Sequence, residues 1–105
     1  MNQTDAVKRL AALAQETRLA VFRALVVAGD AGMTPGTLSE TLALAPATLS
    51  FHLKELANAG LIASQQEGRY IRYRADYAAM NALVGYLTEN CCAGTACGAP
   101  AAPCC

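Results

Sequence analysis

Five cysteines lie at positions 91, 92, 97, 104 and 105, and the first 90 residues contain none. Thiolates bind soft ions and react with oxidants, so this cluster is where chemistry would concentrate. The odd count, in a chain that opens without a basic and then apolar leader, argues against a disulfide framework. Crowding into a Gly- and Pro-containing tail argues against burial as small core residues. His52 is the only histidine and lies far from the thiols in sequence. No imidazole base therefore accompanies the cysteines, which speaks against a nucleophilic enzyme.

A second candidate set is basic. Lys plus Arg and Asp plus Glu are 8 each, so net charge is zero and a strongly basic nucleic-acid protein is excluded. The distribution is uneven. Residues 45–74 hold Lys54, Arg69, Arg72 and Arg74 against Glu55 and Glu67, whereas residues 75–105 hold only Asp76 and Glu89. A local basic patch in the middle of the chain is the footprint of a phosphate-binding surface.

The elements that must position these groups follow from periodicity. With 105 residues there is room for one domain and a small core, not for a two-domain enzyme. Helices are expected over residues 4–14 (Val7, Leu10, Ala11 and Ala14 on one face) and 16–28 (Leu19, Phe22 and Val26 inward, Arg18 and Arg23 outward). Gly29-Asp30-Ala31-Gly32 breaks the chain. Thr34-Pro35 starts a helix to about Leu42, and Pro46 starts another that Gly60 closes in a left-handed turn. Two short helices so separated form a helix-turn-helix. Residues 61–64 and 70–74 read as strands joined through 65–69, a hairpin in the position of a wing. Residues 76–90 form the last helix, with Tyr77, Met80, Val84 and Leu87 as a seam for another helix. The expected fold is mainly α, a winged helix-turn-helix in the order α-α-α-α-β-β-α. Residues 1–90 form the domain and residues 91–105 a flexible, cysteine-rich tail. The longest apolar run, residues 24–28, is far too short for a membrane span, and the cytoplasm is the default compartment.

In the helix 46–59, Leu49, Leu53 and Leu56 at i, i+4 and i+7 face the core. That leaves Ala47, Thr48, Ser50, Phe51 and Lys54 outside, with His52 at the margin. Hydroxyls reach base edges or phosphates, Lys54 neutralises a phosphate, and an exposed Phe51 suits a thymine methyl. The hairpin offers Gln65, Gln66, Arg69, Tyr70 and Arg72 to a minor groove or its backbone, and no acid lies within the second strand.

Taken in order, Glu16-Thr17-Arg18-Leu19, Thr48-Leu49-Ser50-Phe51-His52-Leu53-Lys54-Glu55-Leu56, Ala59-Gly60-Leu61 and Glu67-Gly68-Arg69-Tyr70-Ile71-Arg72-Tyr73 resemble the ArsR/SmtB family of metal-sensing repressors. The resemblance covers roughly residues 5–90. It implies a homodimer whose first and last helices form the interface (Val7, Leu10, Tyr77, Met80, Val84 and Leu87). It also implies a palindromic double-stranded operator that the dimer releases when it binds metal. Two family sensory sites are missing, because residues 38–42 hold no cysteine and residues 76–90 no histidine. The C-terminal thiols are then left to supply the ligands. Some arsenic sensors of the family likewise carry a Cys-Cys pair just past the last helix and a third Cys soon after.

As(III) is thiophilic and takes three sulfurs in a trigonal pyramid. The resemblance thus points to Cys91, Cys92 and Cys97, with residues 93–96 folding the third thiol back. Cys104 and Cys105 form a second vicinal pair, open to a second ion, to methylarsenite, to exchange with the first set, or to no role. A disulfide between neighbours is strained, so either pair suits chelation better. Sb(III) offers similar chemistry. A Cys92–Cys97 disulfide is the redox alternative, weakened by the absence of Lys or Arg beyond Arg74. A metal-buffering protein with a winged-helix interaction surface is the other. Ala45 stands where a Ser commonly caps the reader helix.

Overall fold

The computed structural model describes residues 1–94. Five helices and one antiparallel hairpin follow in the expected order: α1 (Gln3–Leu13), α2 (Glu16–Ala28), α3 (Pro35–Leu42), α4 (Pro46–Asn58), β1 (Ile62–Glu67), β2 (Tyr70–Ala75) and α5 (Tyr77–Leu87). Single 3-10 turns occur at Gly29–Ala31 and Cys91–Gly94. This is a winged helix-turn-helix.

Four of the five α-helix starts are capped by side chains that accept free N–H groups. Asn2 takes the Asp5 N–H, Gln15 that of Arg18, Thr34 that of Thr37 and Asp76 that of Ala79. α4 ends as the sequence implies. Gly60 at φ +78° allows Leu61 N–H to reach Leu56 O at 3.1 Å and Gly60 N–H to reach Ala57 O at 3.0 Å. The same closure ends α3 around Ala43, a non-glycine residue at φ +53°. That turn aims α4 away from α3.

α2 is the hub, packing on α1, α3, α4 and β2. Its inward residues are Val21, Phe22 and Leu25, joined in one core by Leu38, Leu49, Leu53, Leu56, Leu61 and Ile62. The expected stripe of Leu19, Phe22 and Val26 is thus shifted, with Leu19 exposed and Val26 half-buried. Arg18 is not outward either. It takes a place beside that stripe, its Nε donating to Ala12 O at 2.8 Å across the end of α1. A long aliphatic stem with a polar tip lets arginine serve at such a margin.

β1 runs three residues past the expected strand end. Glu67 pairs with Tyr70, so the connection is a two-residue turn, Gly68-Arg69, rather than the loop 65–69. Gly68 at φ +61° with an ordinary φ at Arg69 is the type II′ form, whose twist matches that of the strands. β2 also makes a bridge that periodicity did not announce. Met33 N–H donates to Tyr73 O and Tyr73 N–H to Met33 O, both at 2.9 Å, which docks the hairpin on the chain entering α3. Gly32 makes this possible. It has φ +61°, and a Cβ there would stand 2.4 Å from Tyr73 O.

α5 stops at Leu87, three residues before the expected end. The Thr88 hydroxyl donates back to Val84 O at 2.9 Å, and Asn90 turns to φ +56°. Ala79 and Leu83 of α5 are buried on the rest of the protomer. The seam expected for a partner is therefore divided. Tyr77 and Met80 pack half-buried on the protomer's own core, the Tyr77 hydroxyl donating to Val26 O at 2.8 Å. Val84 and Leu87 point outward, 48% and 57% exposed, as do Val7 and Leu10 on α1.

Candidate nucleic-acid interface and thiol segment

α4 is held by three leucines, Leu49, Leu53 and Leu56, all nearly fully buried. Its opposite side presents Ala47, Thr48, Ser50, Phe51 and Lys54 to solvent. Phe51 is 55% exposed. No side chain caps α4, because Ala45 stands at its N-cap, so its first N–H groups lack that partner.

His52, at the margin of the leucine stripe in sequence and a candidate for either a structural bond or a DNA contact, lies on the buried side of α4. It is 9% exposed, and its Nδ1 lies 3.5 Å from Arg18 Nη1. Its ring meets Phe51 edge-on with centroids 5.4 Å apart. One residue further round the helix than Phe51, it falls on the buried arc. His52 thus lies between Arg18 and the Phe51 ring.

The hairpin separates its residues by face. Ser64, Gln66, Ile71 and Tyr73 share one face; Gln65, Glu67, Tyr70, Arg72 and Arg74 share the other. Arg69 sits in the turn, exposed, with Tyr70 and Gln66 exposed beside it; the Gln66 amide folds onto Gly68 O at 2.8 Å. Arg72, expected at the duplex, is bonded within the protomer. Its Nε lies 3.1 Å from Glu67 Oε2 and its Nη1 donates to Ala31 O at 2.9 Å. β2 itself carries no acid, but the longer β1 brings Glu67 onto the face of its arginines. A cleft of ≈ 470 Å³ lies between the hairpin and the helix pair, lined by Pro35, Ser39, Pro46, Ser50, Ile71 and Tyr73 among others. It marks the inner angle between reader helix and wing.

The thiols lie beyond α5, not on its last turn. Cys91 is half-buried and Cys92 exposed, and Cys92 and Ala93 both take left-handed backbone, φ +57°. Cys97, Cys104 and Cys105 lie outside the described residues. Among the described residues no three metal-ligating side chains cluster.

Residues 13–65, just over half of the chain, match the family model for a helix-turn-helix domain. A curated relative is an uncharacterised helix-turn-helix-type transcriptional regulator, YceK of Bacillus subtilis (strain 168). It is 37% identical over 67 residues, which are 62% of this chain and 66% of that protein. The chain thus spans slightly less than two thirds of that relative. Among solved structures, an ArsR-like transcriptional regulator from Rhodococcus sp. RHA1 superposes with TM-score 0.72 at 32% identity, covering 80% of this chain and 76% of that one. The antimony-specific transcriptional repressor AntR superposes with TM-score 0.62 at 28% identity, covering 77% and 72%. No helix among the described residues is long and apolar enough to cross a membrane.

Proposed function

Since the chain belongs to the ArsR-type helix-turn-helix family of transcriptional regulators, we propose that it is an As(III)-responsive repressor. On this reading a homodimer holds double-stranded operator DNA and lets it go when arsenite binds C-terminal thiolates. The observation that carries the reading is the position of the vicinal thiols. Cys91 and Cys92 follow the end of α5 after three intervening residues, and α5 bears the outward pair Val84 and Leu87. A soft ion held there orders the chain next to the expected dimer seam.

The residues fit that ligand by donor chemistry. Two adjacent sulfurs, one of them exposed, supply two of the three positions a trivalent metalloid needs, and thiolate-only donors exclude hard cations. Cys97 is the proposed third ligand. Likeness to a repressor described as antimony-specific supports a trivalent metalloid inducer and makes Sb(III) the nearest competitor. Methylarsenite, which needs two thiols, suits a vicinal pair.

DNA contact is assigned to Thr48, Ser50, Phe51 and Lys54 with Ala47 on the reader helix, and to Arg69, Tyr70 and Gln66 on the wing. The dimer is assigned to Val7, Leu10, Val84 and Leu87, with Tyr77 and Met80 behind them. A coupling of roughly 1–3 kcal/mol between the thiols and the reader weakens DNA binding about 5- to 150-fold.

Fluorescence anisotropy on promoter DNA under reducing conditions tests this. Cys91→Ser and Cys92→Ser keep DNA binding and lose release by arsenite. Unchanged release in both variants removes the site. Release by peroxide but not by arsenite would select the redox reading instead.

A further inference from the structure

The arginines of β2 point to a positioning device between the wing and the helix pair. Arg74 donates from Nε to Asp30 O at 2.6 Å and from Nη1 to Gln65 Oε1 at 2.8 Å. Arg72 donates to the next carbonyl, Ala31 O, at 2.9 Å. Glu67 stands between the two guanidiniums, 3.1 Å from Arg72 Nε and 3.6 Å from Arg74 Nη2. Immediately after these carbonyls come Gly32, which has no room for a Cβ, and Met33, bonded both ways to Tyr73.

Two guanidiniums, two consecutive carbonyls and a two-bond bridge thus bind one strand to one segment. A lone exposed ion pair contributes little. Here the carboxylate has a different task, orienting two planar donors whose other N–H groups are aimed at backbone oxygens. A two-stranded hairpin is marginal alone, and this seam is what fixes its angle.

We propose that Arg72 and Arg74, oriented by Glu67, are positioning residues of the wing. They hold the hairpin on residues 30–33 so that Arg69, at its tip, meets a phosphate, and they make no contact with DNA themselves. The inference rests on the DNA-binding reading above and sets how the wing reaches the duplex.

The test uses the full chain and a duplex selected by the wild-type protein from a random-sequence pool. Arg69→Ala, Arg72→Gln and Arg74→Gln are each expected to lower the slope of log K against log salt by about one, the loss of one phosphate contact. Combining them is expected to lower it no further, because all three lose the same contact. A cumulative fall, by about one for each arginine removed, makes them independent phosphate contacts and overturns the proposal. So does a slope that Arg72→Gln and Arg74→Gln leave unchanged.

A second arm needs no DNA. Amide exchange at Met33 and Tyr73 is expected to quicken about tenfold or more in the Arg72→Gln/Arg74→Gln variant, with exchange at Leu53 unchanged. Arg74→Lys, which can still donate to Asp30 O, restores part of the protection. Unaltered exchange at Met33 and Tyr73 overturns the clamp even if DNA binding changes. If the wild-type chain selects no duplex at all, the DNA-binding reading fails and the role of Arg69 with it, while exchange still judges the docking.

Discussion

Arg18 shows how much a single side chain can carry that its position in a pattern conceals. It joins the end of α1 to α2 through Ala12 O and lies against His52 of the reader helix. Charge-assisted bonds to partly buried acceptors are worth about 1.5–3 kcal/mol each. Arg18→Ala is therefore expected to lower unfolding free energy by about 2 kcal/mol in urea titrations. Leu49, Leu53 and Leu56 were legible because leucine has one role at that spacing. Arg18, His52 and Arg72 were not, because each can turn either way. For Arg72 the deciding fact was non-local. Its acid partner, Glu67, joins it only once the hairpin register is fixed, and the register follows from a turn at Gly68-Arg69 that the sequence allowed but did not compel.

At the scale of elements, order and type could be read almost throughout, since caps, glycines and prolines mark most boundaries. The end of α5 could not, because apolar and small residues continue to Leu87 while Thr88 and Asn90 close the helix through backbone geometry. The helix-turn-helix connection retains two correctable flaws. Ala43 occupies left-handed backbone at φ +53°, a conformation that costs an L-residue roughly 1 kcal/mol. Ala43→Gly is expected to raise the melting temperature by several degrees in a calorimetric scan. Ala45→Ser supplies the missing acceptor at the start of α4 and is expected to add about 1 kcal/mol. Gly32→Ala acts in the opposite sense. The Cβ would meet Tyr73 O, so the hairpin must lift, and both thermal stability and DNA affinity are expected to fall.

The described residues present two outward surfaces, the reader with its wing and the apolar residues Val7, Leu10, Val84 and Leu87 of α1 and α5. The second is assigned to a twin copy. Val84→Asp and Leu87→Asp place charge on that surface without touching the core, since both side chains are largely exposed. Each is expected to give a folded monomer in sedimentation velocity, with DNA affinity falling as the second half-site is lost. The cysteine segment is legible as chemistry in the sequence, because its thiols are the only ones in the chain. Titration of arsenite against antimonite measures which ion it prefers. Phe51 offers a way to watch that experiment. The chain contains no tryptophan, and this ring projects into water from the reader helix. An indole substituted there would be the sole such fluorophore, so its emission would report in real time each capture of a duplex and each escape.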